Sequence, residues 1–486
     1  MRLESHKMGA RAHLTQAALL ALVALGLTAC ASSSGIQAHA TLRDAPSLGL
    51  PVEQNAPMTL EAQWWQEFGD AQLNQLIDVA LANNPSLKIV QARLARAQAG
   101  ADGVDAARGP QLTAGIDATR QQYTASGAVP PPLAGTIRES GTAQLTGSWE
   151  LDFFGKNRAA LEAALGNTRA AQADAEAARM LLASNVVRSY FSLVRWNEQL
   201  GVADRLLAQR TQAQHLVQDR VNAGLDTQLE LRQSEGALPE ARLQIETLQE
   251  QLVLSQNALN ALVGQPNKPV APVLPSQSAI KNIAIPKVLP SNLLGRRADI
   301  AAARWRVEAA TQDVSNARSQ FYPNVNLMAF AGFSSIGLDR LFGAGSEQWG
   351  VGPALRLPLF DGGRLRANLR GKTSDLDAAI ESYNAAVIDA VHEVADQLAS
   401  SQAIARQQTE QGAAQASAEN AHAIAVQRYE AGLSNYLQVL TAETTVLNQR
   451  RQGVDLAARA LDTQVALMRA LGGGYHADLP AATSQK

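Results

Sequence analysis

Two hydrophobic periods divide this chain. Around residues 111–119 every second position is apolar: Leu112, Ala114, Ile116 and Ala118 alternate with Gln111, Thr113, Gly115, Asp117 and Thr119. After a loop holding Pro130-Pro131-Pro132 the alternation resumes, with Ala143, Leu145, Trp149, Leu151 and Phe153 set against Thr142, Gln144, Thr146, Ser148, Glu150 and Asp152. Strict period two over about ten residues predicts a barrel strand crossing a membrane, or a half-buried strand of a soluble sandwich. A second pair follows later. Val325, Leu327, Ala329, Ala331 and Phe333 make one apolar face, while Met328 and Phe330 interrupt the polar one. Its partner runs through Trp349, Val351, Leu355, Leu357 and Leu359, although Pro353 and Pro358 are awkward inside a central strand. Tyr123, Trp149, Phe153, Tyr322, Trp349 and Phe360 lie toward strand ends, where an aromatic girdle would sit.

Elsewhere the period is helical. A helix is predicted from about Pro85 to Arg108, stopped by Gly109-Pro110. Lys156 to Val221 and Asp361 to Tyr429 lack proline, and each would form a helix on the order of 100 Å long if continuous. Each runs into an Ala-Gly-Leu turn, where glycine permits a left-handed cap, and then a return helix. In the first return helix Ala241, Ile245, Leu248, Leu252, Ser255, Leu259 and Leu262 step by four and three. In the second, Leu437, Leu440, Thr444, Leu447, Arg451, Val454, Ala458, Leu461, Val465 and Met468 do the same. That spacing predicts coiled-coil seams. Alanines such as those from Ala170 to Ala178 permit close packing, and Pro239 should kink the first return helix near its start.

These elements are written twice. Arg220-Val221-Asn222-Ala223-Gly224-Leu225, with Leu229 and Glu235, returns as Arg428-Tyr429-Glu430-Ala431-Gly432-Leu433, with Leu437 and Glu443. Asn84-Pro85-Ser86-Leu87 with Arg93 and Pro110 aligns with Arg297-Ala298-Asp299-Ile300 with Arg306 and Pro323, and Leu151, Phe154 and Arg158 align with Leu357, Phe360 and Arg364. Three landmarks in register predict a duplicated unit. The halves would span 62–263, with a strand hairpin about 111–154, and 291–474, with one about 324–360. A proline-rich linker at 264–290 would join them, and a tail would follow at 475–486.

The first residues bear on the compartment. Arg2, His6, Lys7 and Arg11 precede an apolar run from Ala17 to Leu25, shorter than the roughly 20 residues of a spanning helix. A signal peptide over 1–29 is expected, followed by a linker over 30–61. Leu27-Thr28-Ala29-Cys30 resembles a bacterial lipobox, which implies diacylglycerol and N-acyl lipid on Cys30. Cys30 is the one cysteine of 486 residues, so no disulfide within the chain is possible. Ala31 after it, rather than Asp, points by that resemblance to the outer membrane.

Net charge is −2 with no basic block, which argues against nucleic acid as a partner. No later apolar run is long enough to span a membrane as a helix, so any crossing must use strands of a closed barrel. Four strands cannot close one, because bacterial barrels need at least about 8. Two or more chains must therefore share it.

The duplicated plan, the Tyr429-Glu430-Ala431-Gly432-Leu433 turn, the Arg296-Arg297-Ala298-Asp299-Ile300 run and Leu359-Phe360-Asp361-Gly362-Gly363-Arg364 resemble the TolC-type outer-membrane efflux proteins. The lipobox, with Trp64-Trp65, Phe68 and Asp70-Ala71-Gln72-Leu73, is similar to their NodT branch, the lipoproteins of RND-type pumps. The resemblance covers about Ala62 to Gly474. It implies a mixed α and β membrane protein: a homotrimer whose 12-stranded outer-membrane β-barrel continues into a 12-helix periplasmic coiled-coil tunnel. Its implied partners are a periplasmic adaptor protein, an inner-membrane RND pump and outer-membrane lipid. Its implied function is that of a passive exit duct for small molecules, gated at the periplasmic end.

By the same resemblance Tyr429 matches a gate tyrosine and Glu230 its acidic partner on the neighbouring hairpin. The turns Ala223-Gly224-Leu225 and Ala431-Gly432-Leu433 would meet the adaptor. Four positions depart from the family. Ala298 replaces a usual proline, Ser434 stands where some relatives have arginine, and Gln438 and Thr441 stand where related ducts place aspartates. An acidic ring at the gate is not expected from them.

No enzyme is legible. His392-Glu393 lacks the second histidine of a zinc helix, and the seven histidines are scattered. Gly472-Gly473-Gly474 ends a helix rather than opening one, and no Gly-x-Ser-x-Gly elbow appears. No cofactor or metal is expected. A copper relay is disfavoured, since Met1 and Met8 would leave with the signal peptide and the other four methionines are isolated. Two rivals stay open: a duct for protein secretion, and a lipid-anchored periplasmic scaffold without a pore.

Overall fold

The computed structural model describes residues 32–43, 61–265, 272–283 and 295–475. Their elements are α1 (Ala71–Asn83), α2 (Pro85–Ala106), β1 (Gln111–Gln122), β2 (Ile137–Leu151), α3 (Lys156–Asn222), α4 (Gln228–Val263), α5 (Ala298–Ser319), β3 (Asn324–Ile336), β4 (Glu347–Arg356), α6 (Arg364–Glu430) and α7 (Tyr436–Ala470). The two long helices α3 and α6 contain 67 residues each, as alanine-rich runs without proline should. Helices α2 and α5 contain 22 each. The chain divides into two compact units. One holds Leu94–Ala170 and Ala303–Tyr383 with the described residues up to Leu42, and the other holds the described residues within Arg43–Arg93, within Ala171–Ala302 and from Asn384 onward.

The first unit carries one antiparallel sheet in the order β1-β2-β3-β4. Its register keeps the two faces distinct: Ala114, Leu145, Ala331 and Trp349 form one row, and Thr113, Thr146, Phe330 and Gly350 the next. Apolar side chains therefore share one face, and within a single chain they are bare: Leu112 is 73% exposed, Ile116 79% and Trp349 79%. Phe330 and Met328 sit on the polar face opposite Gly350 and Gly352. A Cβ on Gly350 would lie 2.7 Å from Phe330 Cε1, so the ring lies over bare backbone, a known way of covering a strand glycine. Pro353 lies on β4, which within the chain pairs only with β3. The strand stops at Arg356, short of the Leu359 expected from the pattern, with Pro358 just beyond.

Helices α5 and α6 pack together through Val307, Val314, Leu369, Leu376 and Ile380, joined by Ile36 from the N-terminal segment. That segment is strapped to α6: the His39 and Ala40 N–H groups donate to Asp377 Oδ1 at 2.8 and 2.9 Å. Further along, the Arg43 N–H donates to Asn384 Oδ1 at 2.9 Å. Cys30 and the expected signal peptide lie outside the described residues.

The second unit is built on a core of Trp64, Trp65 and Phe68 against Tyr190, Phe191, Leu259 and Val465. Asp70 organises its edge. One carboxylate oxygen accepts the Gln72 and Leu73 N–H groups and so caps α1, while the other accepts the Tyr190 hydroxyl at 2.5 Å. Trp64 is fully buried. Trp64→Ala is expected to destabilise this unit by about 3–5 kcal/mol, read as an earlier thermal transition of the detergent-solubilised protein with the sheet signal retained.

Helix α4 runs through Pro239 without interruption. Its seam matches the expected one, with Ala241, Ile245, Leu248 and Leu259 buried. Helix α7 differs at its start. Within the chain the buried residues there are Tyr436, Val439, Glu443 and Val446, one position before the predicted Leu437, Leu440, Thr444 and Leu447. Leu437 is 54% exposed. The predicted stripe and the buried one agree again from Ala458, where Leu461, Val465 and Met468 are all buried.

Candidate functional site

The two Ala-Gly-Leu turns have the same backbone. Leu225 N–H donates to Arg220 O at 2.8 Å and Gly224 N–H to Val221 O at 3.0 Å; Leu433 and Gly432 repeat both bonds onto Arg428 and Tyr429. This is a Schellman ending. It requires positive φ at the glycine, which is +74° at Gly224 and +73° at Gly432. Leu225 and Leu433 project outward, 66% and 68% exposed.

Behind the turns the chemistry of the two tips diverges. In the first, Asp226 folds back on α3: its Oδ2 accepts from Arg220 Nε at 3.0 Å. The pair is largely shielded, with side chains 13% and 10% exposed. Thr227 and Glu230 then cap α4 reciprocally, because Thr227 Oγ1 accepts the Leu229 N–H at 3.2 Å and Glu230 Oε2 accepts the Thr227 N–H at 3.0 Å. The Thr227 hydroxyl also donates to Glu230 and holds its carboxyl below the usual range. In the second tip, Asn435 stands at the N-cap of α7 with no side-chain cap bond, and Ser434 Oγ is buried without a partner.

Tyr429 joins the tips. Its hydroxyl donates to Asp226 Oδ2, its ring lies 4.6 Å from the Arg220 guanidinium carbon, and Arg220 Nη1 reaches Glu430 O at 3.4 Å. Val217, Leu231, Tyr436 and Val439 close around the ring. Burial first, and then the bond to Asp226, push the phenol well above its ordinary pKa, so it remains a donor. Asp226, with Tyr429 beside it, pushes the Arg220 guanidinium up as well. The result is a charge-assisted clasp between the hairpins α3–α4 and α6–α7.

The hydroxyl of Tyr429 has a different acceptor within the chain from the Glu230 that the resemblance implied. Within the chain Tyr429 is bonded to Asp226, four residues before Glu230, because Glu230 is already engaged as the cap of its own helix. The Thr227-x-x-Glu230 capping signature was visible in the sequence, and it marks Glu230 as a local partner. Gln438 and Thr441 lie exposed on the first turns of α7, and the Thr441 hydroxyl donates back to Leu437 O at 2.8 Å. Among the described residues no cluster of metal-ligating side chains occurs.

The described residues thus carry an antiparallel sheet with one exposed apolar face and long helical hairpins whose tips are clasped. The profile of the outer membrane efflux protein family matches residues 76–265 and 289–473. The chain is 35% identical over 434 residues to multidrug resistance outer membrane protein MdtQ of Escherichia coli O6:H1, covering 85% of this chain and 88% of the relative. It is 32% identical over 425 residues to MdtP of the same strain, covering 86% and 87%. The solved outer membrane protein VceC of Vibrio cholerae superposes with a TM-score of 0.80 at 38% identity, over 86% of this chain and all of that one. The chain belongs to the outer membrane efflux protein family. It is an outer-membrane efflux duct with a periplasmic helical part, and it is not an enzyme.

Proposed function

We propose that three copies of this chain form one duct, the exit stage of a tripartite RND-type pump that exports small molecules. The two halves of the chain act as structural repeats, each giving two strands and its helices, so a trimer closes a 12-stranded barrel over a 12-helix tunnel. The observation that carries this reading is the four-stranded sheet with bare edges at β1 and β4 and one continuous apolar face. In lipid such edges leave backbone groups unsatisfied at several kcal/mol each, so they must pair with another copy. Acyl chains on Cys30 anchor the N-terminal strap. The turns Ala223-Gly224-Leu225 and Ala431-Gly432-Leu433 receive the adaptor, and the Tyr429–Asp226–Arg220 clasp keeps the periplasmic end closed until it docks. The multidrug names of the MdtQ and MdtP relatives favour small molecules over secreted proteins as cargo.

Cysteines placed singly along β1 and singly along β4 test the closure. Oxidation of outer-membrane fractions is expected to give covalent dimers and trimers for pairs in register. If the whole scan yields only monomer, the shared barrel is wrong.

A further inference from the structure

The hairpins are joined a second time, farther from the turns. Arg210 lies fourteen residues before Gly224 on α3, about 20 Å along the helix. It is 8% exposed, and its Nε donates to Glu443 Oε2 on α7 at 3.0 Å, where Glu443 is 6% exposed. Arg210 Nη1 donates to Ala237 O on α4 at 2.8 Å and lies 3.6 Å from Glu240 Oε2. Its two contacts on α4 therefore straddle Pro239. Proline has no N–H, so the Glu235 carbonyl loses its donor within the helix, and bending is easiest at that point.

Packing alone does not call for this pair. In the register that aligns Gly224 with Gly432, Arg210 corresponds to Ala418 and Glu443 to Glu235. Ala418 is simply buried, and Glu235 pairs with Arg232 on the surface of its own helix. The matching place in the other half of the chain is thus built without a buried ion pair. Apolar side chains of similar volume often stabilise such a site at least as well, so stability alone is a weak reason for the pair.

We propose that Arg210 and Glu443 are positioning residues of the gate: they pin α7 to α3 at the level of Pro239 and confine opening to the helix ends between Pro239 and the turns. The clamp holds the closed hairpins together independently of Tyr429 and Asp226. Pro239 lets the first turns of α4 bend when the clasp is released. This rests on the duct reading given above.

Single-channel recording of the purified full-length protein in planar bilayers tests it. The variants are Arg210→Met/Glu443→Met, which removes both charges while keeping volume, and Pro239→Ala in an Asp226→Ala background. The first is expected to raise open probability roughly tenfold with the clasp intact, within the range one coupling of this size carries. The second is expected to lower the open probability of Asp226→Ala by a similar factor, because a straight helix resists bending. Thermal stability and trimer yield, read in parallel, separate gating from folding. Unchanged open probability in the double methionine variant, while Asp226→Ala still opens the channel, overturns the clamp and leaves the clasp standing. The reverse result keeps the clamp and removes the clasp. A fall in stability or trimer yield with closed-state conductance unaltered assigns the pair to architecture alone and also overturns the proposal.

Discussion

Asp226→Ala is expected to convert a mostly closed channel into a mostly open one without any partner present. The substitution removes the one carboxylate oxygen that two shielded groups share, the Arg220 guanidinium and the Tyr429 hydroxyl. Hydrogen bonds to charged groups contribute about 1.5–3 kcal/mol each, less where water reaches them. Loss of about 2–3 kcal/mol from the closed tip shifts the closed-to-open ratio by roughly 30- to 150-fold. Tyr429→Phe removes one of the two bonds and keeps the ion pair, so its effect is smaller. Glu230→Ala frays the start of α4 without touching the clasp, and its channel should stay closed. Conductance of the three variants side by side decides between the two carboxylates. A closed Asp226→Ala channel beside an open Glu230→Ala channel would return the gate to Glu230.

The second large effect is expected where the two halves of the sheet meet. Gly332 on β3 pairs with Gln144 on β2. A Cβ there would lie 2.2 Å from Ala143 O and 2.5 Å from Gln144 Cα, which are backbone atoms that no rotamer can move aside. Gly332→Val must push β2 and β3 apart at the seam joining residues from opposite halves of the chain. Overpacking of this kind costs about 1–3 kcal/mol even where side chains can yield, and here they cannot. Loss of heat-modifiable, SDS-resistant oligomer in the outer membrane is the expected readout. Normal oligomer from Gly332→Val would mean that the β2–β3 pairing is not part of the assembled barrel.

Much of this architecture is legible from short-range pattern. Period two gave the four strands and the face each residue occupies, because a pleated strand leaves no other choice. Proline-free, alanine-rich runs predicted α3 and α6 to within a few residues. The buried side of α7 was displaced by one residue near its start. There Leu437 competes with Tyr436 for the seam, and contact with Tyr429 decides in favour of the aromatic ring. The site was less legible. Asp226 sits in a turn whose backbone folds it onto Arg220, which only the Schellman geometry reveals. Arg210 and Glu443 are 233 residues apart, and nothing local marks them as partners. Pro239 was visible as a helix breaker, but its neighbours on α3 were not.

The unequal chemistry behind equal turns has a consequence for stoichiometry. In the proposed three-fold assembly, six turns share one backbone shape, each tipped with a leucine. Three of them are braced by a capping box and an ion pair, and three are not. Identical copies of a docking protein therefore meet two classes of site in strict alternation. Occupancy should fill in two steps of unequal affinity, with the braced turns engaged first because less order is lost when they bind.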